Sequence, residues 1–477
     1  MRKSKNLTAA PIHLAFDRLA TYSVSMKRIP GTSLAAIVGL TALSAWLCPA
    51  DAQAGGNEHL ADITGVWLAD FNHDSSRVIV QMRGGQIGIW DTESGEPVAA
   101  DSITAGAVIG RGSYIMNHSA THALIELESG KSRLFELSSA DAISPEIDIT
   151  IGKTWSPNAF FDPTDTYIAA FDEDGRCRIL ALDTGVTTAT LDLPAPAADR
   201  EIRPRITFSD DGHTALVLDG QGTLHRYDTE SWKQTGEPMH HPNPDAYHTG
   251  FSASADARLA VTSDWPGENG PSGYLQLWET ATGQSLGESL SAQNGMGGRF
   301  FADGTRLLIT PARGDTRVAA LPTLETVLDL PRHDDVEASR ALITADEKYI
   351  LTWGSNSRIT ATSVEPGRSS SFSHGGAKVR SVHTGADPSD VWIVFDNSTF
   401  LLHGHYDFYV FRLDVEGMKP AASIRFTNYL HRAILSPDGT RLMIHEGRTG
   451  RERIRLFDAA TLSERPVSSD QHTPLGR

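Results

Sequence analysis

Two histidines and an aspartate stand at alternate positions in LLHGHYDF, Leu401 to Phe408. On an extended strand His403, His405 and Asp407 share one face, a geometry compatible with metal binding. The same stretch also reads as a polar hairpin with solvated histidines, and this reading assigns no metal ligand. Trp265 sits in an insertion, DWPGENGPSG at 264–273. A tryptophan on a loop is costly to expose unless it packs against a neighbour or takes part in recognition. Met239-His240-His241-Pro242, with Asp245 and His248 nearby, reads as a structural or solvated loop. Arg313-Gly314-Asp315 reads as an ordinary Gly-Asp turn rather than an adhesion tripeptide. A GxSxG nucleophile elbow, HExxH, GxxxxGK[ST] and GxGxxG all read as absent. The residues therefore assign no catalytic group, no cofactor and no metal. The expected partner-binding residues are Trp265, His403, His405, Tyr406 and Asp407, which combine apolar area with polar handles.

The elements that position these residues must come from a chain of 477 residues with 42 glycines and few long apolar helical stretches, which points to turns and an all-β protein. One phrase recurs nine times, with an aromatic or apolar residue followed in most copies by Asp or Glu. It is clearest in IGIWDTESG at Trp90-Asp91 and LQLWETATG at Glu279, and further copies fall at Glu136, Asp183, Asp228, Pro322, Ser363, Asp414 and Asp458. The spacings run from 41 to 51 residues, close to the roughly 40–45 of a four-stranded propeller blade. A second phrase precedes each copy, with a polar turn and then an apolar run, as in FSDDGHTALVL, FFADGTRLLI and LSPDGTRLMI. Asp-Gly or Asp-Ser supplies the reversal. The run that follows, such as Arg441-Leu442-Met443-Ile444, is expected as a strand buried on both faces, and a variable edge strand such as Pro97-Val98-Ala99 ends the unit. Such a unit cannot bury its two faces alone, so the units should stack in a ring.

WDTESGEP, LWETATGQSLGES and LSPDGTRL resemble the two consensus phrases of the bacterial WD-repeat family, and the resemblance covers about residues 60–465. It implies a single all-β propeller of four-stranded WD-like blades at 65–465. Eight or nine blades are expected, with seven as an alternative, because the sixth and seventh copies are weak and a terminal copy could complete the ring closure. Tryptophan stands at the WD position only at Trp90 and Trp278. The family's buried His–Ser/Thr–Trp–Asp network reads as mostly missing, with His241, His333 and His374 as candidate remnants.

Ser33 to Leu47, an uncharged apolar run, follows Lys27 and Arg28 and precedes Ala52-Gln53-Ala54. This is the make-up of a cleavable signal peptide, and the run is shorter than the roughly 20 residues of a membrane span. Trp46 and Leu47 are too bulky for a lipobox at Cys48. Residues 1–54 are expected as a signal region, with Met26 as an alternative start, followed by a short segment 55–64 and ending in a tail at 466–477. Losing the six Lys/Arg and two Asp of residues 1–54 takes the net charge from −17 to −21. Such a surface repels phosphate backbones and anionic membranes, so neither nucleic acid nor membrane insertion after cleavage is expected. Cys177 would then be the sole cysteine, which excludes an internal disulfide and paired-cysteine sites and predicts a buried thiol. These readings converge on a periplasmic or secreted, non-catalytic scaffold for protein partners. The alternative is a propeller-type hydrolase or lyase acting on a lactone or a polysaccharide, which needs carboxylates or histidines gathered at the channel mouth. The Tol-system periplasmic propeller also uses the LSPDG phrase but carries an extra N-terminal α/β domain, whereas here the repeats begin within about ten residues of the expected cleavage site.

Overall fold

Each pair of phrases forms one antiparallel meander in a computed structural model of the chain. The structure describes residue 60 and residues 63–464 apart from short segments, the longest being 105–113, 195–203, 266–272, 332–339 and 398–405. The expected signal region, the tail, His333, Arg313, His403, His405 and the side chain of Trp265 lie outside the described residues. Nine sheets span 66–104, 114–136, 159–191, 205–240, 248–292, 296–329, 340–373, 378–426 and 430–458, and we call them blades 1 to 9; in blade 4 the outer edge is split into Lys233–Gln234 and Met239–His240, both paired with the third strand. No α-helix occurs among the described residues. The count resolves to nine: the weak sixth and seventh copies form complete four-stranded blades, and the last copy forms its own blade rather than completing another. In blades 2 and 9 the outer edge is reduced to isolated bridges, such as Phe457 with Glu464.

The second strand of each blade explains the ring. Its side chains alternate between the two faces, and both faces are buried. In blade 4, Ala215 and Val217 pack toward blade 3 while Leu216 and Leu218 pack toward blade 5. In blade 9, Leu442 and Ile444 meet blade 8 while Met443 meets blade 1. One apolar cluster fills each of the nine interfaces, including that between blades 9 and 1, where Met443, Ile454 and Leu456 meet Val66, Val78, Val80 and Trp90. Cys177 belongs to the layer between blades 3 and 4, and burial pushes its thiol pKa upward, as expected of an inert group.

The recurring phrases have separate jobs. The Asp of the first phrase ends the third strand and accepts backbone N–H groups of the following turn: Asp228 from Ser231 at 2.8 Å, Asp458 from Thr461 at 2.9 Å, Asp414 from Gly417 at 2.8 Å. The second phrase opens with a side-chain oxygen that accepts the N–H five residues on. Asn72, Asn117, Asp162, Ser209, Ser254, Thr344 and Ser436 all make this bond, at 2.5–3.1 Å. The hydroxyls also donate to the Asp two residues later, as Ser436 does to Asp438 at 2.6 Å. The fourth residue of the turn adopts a left-handed backbone: it is glycine at Gly212, Gly304 and Gly439, but Ser75, Asp165, Ala257 and Glu347 elsewhere. Three of these four side chains accept a hydrogen bond from the preceding blade's turn. Ser75 takes Asp438 N at 3.0 Å, Asp165 takes Ser119 N at 2.9 Å, and Glu347 takes Ala302 N.

Ser436→Ala should therefore destabilise the protein by about 0.5–1.5 kcal/mol, the net worth of a typical hydrogen bond, since the hydroxyl is buried but its partners Asp438 and Arg441 reach solvent. Ser436→Thr should retain most of the stability, because Thr344 fills the same place in blade 7. Urea denaturation of both variants checks this, and equal losses would refute it.

Candidate functional site

The meander gives the ring two unlike faces. Connections from inner to second strand and from third to outer strand leave on one side, and these are the short bonded turns just described. Connections from second to third strand, and from each outer strand to the next inner strand, leave on the other. The strand ends that flank segments 105–113, 195–203, 266–272, 332–339 and 398–405 all stand on this second side, here called the variable face.

The variable face is anchored in blade 5 by a buried polar network. Trp278 Nε1 donates to Thr262 Oγ1 at 2.9 Å, and His241 Nδ1 lies 2.8 Å from the same oxygen. If Thr262 donates to Nδ1, the ring proton sits on Nε2, which faces Asp264 Oδ1 at 3.6 Å. Asp264 also accepts from Asn243 Nδ2 at 2.6 Å and from Tyr274 N. Burial alone would raise the Asp264 carboxyl, but these donors hold it below the usual range. The His–Thr–Trp–Asp network that the sequence reading found mostly missing is thus complete in one blade. His374 does another job, stacking among Phe395, Tyr409 and Phe411 between blades 7 and 8.

This network roots the Trp265 insertion. Trp265 is the last residue of the second strand Leu259–Trp265, paired with His248, and directly follows Asp264. Tyr406 and Asp407 precede the third strand Phe408–Asp414 of blade 8, also on the variable face but three blades away. Tyr406 sets its ring edge-on to Tyr429 at 5.2 Å. Asp407 accepts from Arg425 Nε at 2.6 Å and Tyr409 Oη at 3.1 Å, so its carboxylate is engaged within blade 8. No group of three His, Cys, Asp or Glu able to hold a metal occurs among the described residues. One stretch overlooked in the sequence, Gly283-Gln284-Ser285-Leu286-Gly287, matches GxSxG. Ser285 lies exposed on the outer strand of blade 5 opposite Trp278, not at a strand-to-helix elbow.

The inner strands of three successive blades are bulged at their variable-face ends. Register shifts skip Arg380 in blade 8, His431 in blade 9 and Trp67 in blade 1. Bulges re-aim side chains next to functional surfaces. Trp67 is 37% exposed. Arg380 lies over the Phe408 and Tyr429 rings, and His431 packs between Tyr429 and His445, each centroid 4.7 Å away. Nothing in the phrase pattern marks these positions, because they lie outside both repeated phrases.

No family description matches the chain, and no curated protein does. Among solved structures, the C-terminal WD40 domain of Sif2 aligns with 83% of this chain and 97% of its own at 11% identity and a TM-score of 0.48. The computationally designed Ika8 protein aligns with 70% and 96% at 12% identity and a TM-score of 0.47. A chain of the Mitotic Checkpoint Complex aligns with 62% and 88% at 14% identity and a TM-score of 0.40. The nine-bladed architecture stands on the sheet order and the nine interface clusters themselves.

Two histidines near the blade 8–9–1 seam are held neutral. Burial pushes the pKa of His445 down to about 4, with His431 adding to the effect. Burial does the same to His383, also to about 4, with Arg432 beside it. Unfolded histidine titrates near 6.5. Between these values the unfolded chain binds more protons, so this contribution to stability is complete above about pH 6.5 and is lost as pH falls toward 4. The urea midpoint should fall between pH 7 and pH 5, and His445→Gln should flatten part of that fall. A midpoint constant over this range would refute the assignment.

Proposed function

We propose that this chain is an exported, non-catalytic scaffold that holds a protein partner on its variable face. The observation that carries this reading is the asymmetry of the ring. One face is closed by short turns whose polar groups are spent on each other and on the neighbouring blade. The other carries the long connections, and the two longest between a second and a third strand contain the Trp265 insertion and the stretch with His403 and His405. Insertions in a repeat array map to loops, often on a binding face, and the buried His241–Thr262–Trp278 bonds give the Trp265 insertion a rigid root. A site on a rigid root loses less conformational entropy on binding.

Export rests on the composition of Ser33 to Leu47 and the small residues up to Ala54. Intact mass of the exported protein should correspond to cleavage after Ala54 without lipid.

A partner captured from envelope extract by the mature protein should bind more weakly to Trp265→Ala and to Tyr406→Ala. Each variant should melt within a few degrees of the parent, since losing the Tyr406–Tyr429 contact costs little in a domain of this size. Binding that survives both substitutions, or unfolding by either, would overturn the reading.

A further inference from the structure

The chain carries 42 Lys and Arg against 59 Asp and Glu, yet the strands that border its central channel are the reverse. The nine inner strands contain Arg205, Arg299, Arg340, Lys378, Arg380 and Arg432, against one carboxylate, Asp70. Asp70 is itself paired with Arg432 at 3.4 Å, and Arg380 faces Asp396 at 3.4 Å. Arg205, Arg299, Arg340 and Lys378 are exposed, and among the described residues no ion pair joins Arg205, Arg299 or Arg340 to an acid. Arg205, Arg340 and Lys378 are the first residues of their inner strands, which places them at the variable-face end of the channel. Trp67, second residue of the blade 1 inner strand and skipped by its bulge, stands at that same end.

We propose that the variable-face mouth of the channel takes an acidic, extended segment of the protein partner. Its carboxylates would meet Arg205 and Arg340, and an apolar side chain among them would lie against Trp67. This rests on the scaffold reading above and names the partner's chemistry. Cations set round the low-dielectric wall of the mouth focus the field into it, while the net acidic charge of the whole chain repels anions. A long uniform polyanion incurs that repulsion along its length beyond the mouth, apart from where it passes the exposed Arg448, Arg451 and Arg453 of blade 9. A segment whose few carboxylates sit only at the mouth does not, so charge complementarity selects a protein segment over a nucleic acid or an anionic glycan. An arginine fork also matches a carboxylate in two hydrogen bonds.

The test uses the mature protein and a fluorescein-labelled peptide of alternating Glu and Gly with one central Leu, read by anisotropy at low and physiological salt. The peptide should bind, more weakly as salt rises. Arg205→Gln with Arg340→Gln should weaken binding about tenfold. Lys233→Gln with Lys419→Gln makes the same change in net charge on outer strands and should stay within about twofold of the parent. Trp67→Ala should weaken the Leu-bearing peptide and leave an all-Glu/Gly peptide unaffected. The inference is overturned if the peptide does not bind, if both double variants lose affinity equally, or if heparin or a single-stranded oligonucleotide binds the mouth more tightly than the peptide. Failure of the peptide while the captured partner still depends on Trp265 and Tyr406 would remove this inference alone and leave the scaffold reading in place.

Discussion

Each blade presents two apolar faces and can cover neither of them itself; everything else in the ring depends on the ninth blade reaching the first. Every blade is built from one continuous stretch, so the seam is not sealed by exchanging a strand. It is sealed by Trp90, Val78, Val80 and Met443, by Leu60 and Ile63 packed into the same layer, and by hydrogen bonds from Gly65 N to Glu452 O at 3.1 Å and from Asp438 N to Ser75 Oγ, while Leu60 N to Gly95 O at 2.9 Å ties the leading segment to blade 1 itself. The strand pairs stay within single blades, whereas the seam brings together residues nearly 400 positions apart. The entropy of closing so long a loop grows only slowly with its length, and the cluster of apolar side chains at the seam is of the kind that offsets it.

The turns show how strain is distributed round that ring. A left-handed backbone costs an ordinary residue roughly 1 kcal/mol or more. Where glycine does not occupy such a position, the residue present usually has a second task. In the turns from inner to second strand, Ser75, Asp165 and Glu347 reach the neighbouring blade with a side-chain acceptor. In the turns from third to outer strand the left-handed residues are Trp232, Leu324, Met418 and Leu462, and their side chains enter or pack against the inter-blade clusters. Polar side chains therefore staple one set of turns and apolar ones pin the other. This is why the repeat tolerates such uneven copies: the backbone shape is common, while the means of holding it differs from blade to blade.

The architecture was legible because its signal is local. The Asp that ends a third strand and the turn that opens a second strand each act within a few residues, so they recur as phrases. Alternation along Leu442-Met443-Ile444 shows both faces buried without reference to any partner strand. The blade 5 network was not legible in the same way. His241 belongs to the connection leaving blade 4, Thr262 to a second strand and Trp278 to a third, and only folding brings them within hydrogen-bond distance. Of the expected binding residues, Trp265, Tyr406 and Asp407 stand at strand ends on one face by the order of the strands, but Asp407 proves to be taken up by Arg425 and Tyr409, contacts that no spacing rule anticipates.

The charge pattern was the least legible of all, because net charge averages over surfaces that folding separates. The loop between the second and third strands of blade 9, with two acids and three arginines at 446–453, reads as nearly neutral. In the fold Glu446 and Glu452 are buried, and Glu446 is met by Arg453 and Arg455, while Arg448, Arg451 and Arg453 remain exposed on the variable face. Burying acids against internal partners leaves cations as the visible charge, and the inner strands reach the same result by composition. An overall excess of acid therefore says little about what any one opening attracts. The same excess, spread over the rest of the chain, adds to the field that steers anions toward such cationic openings.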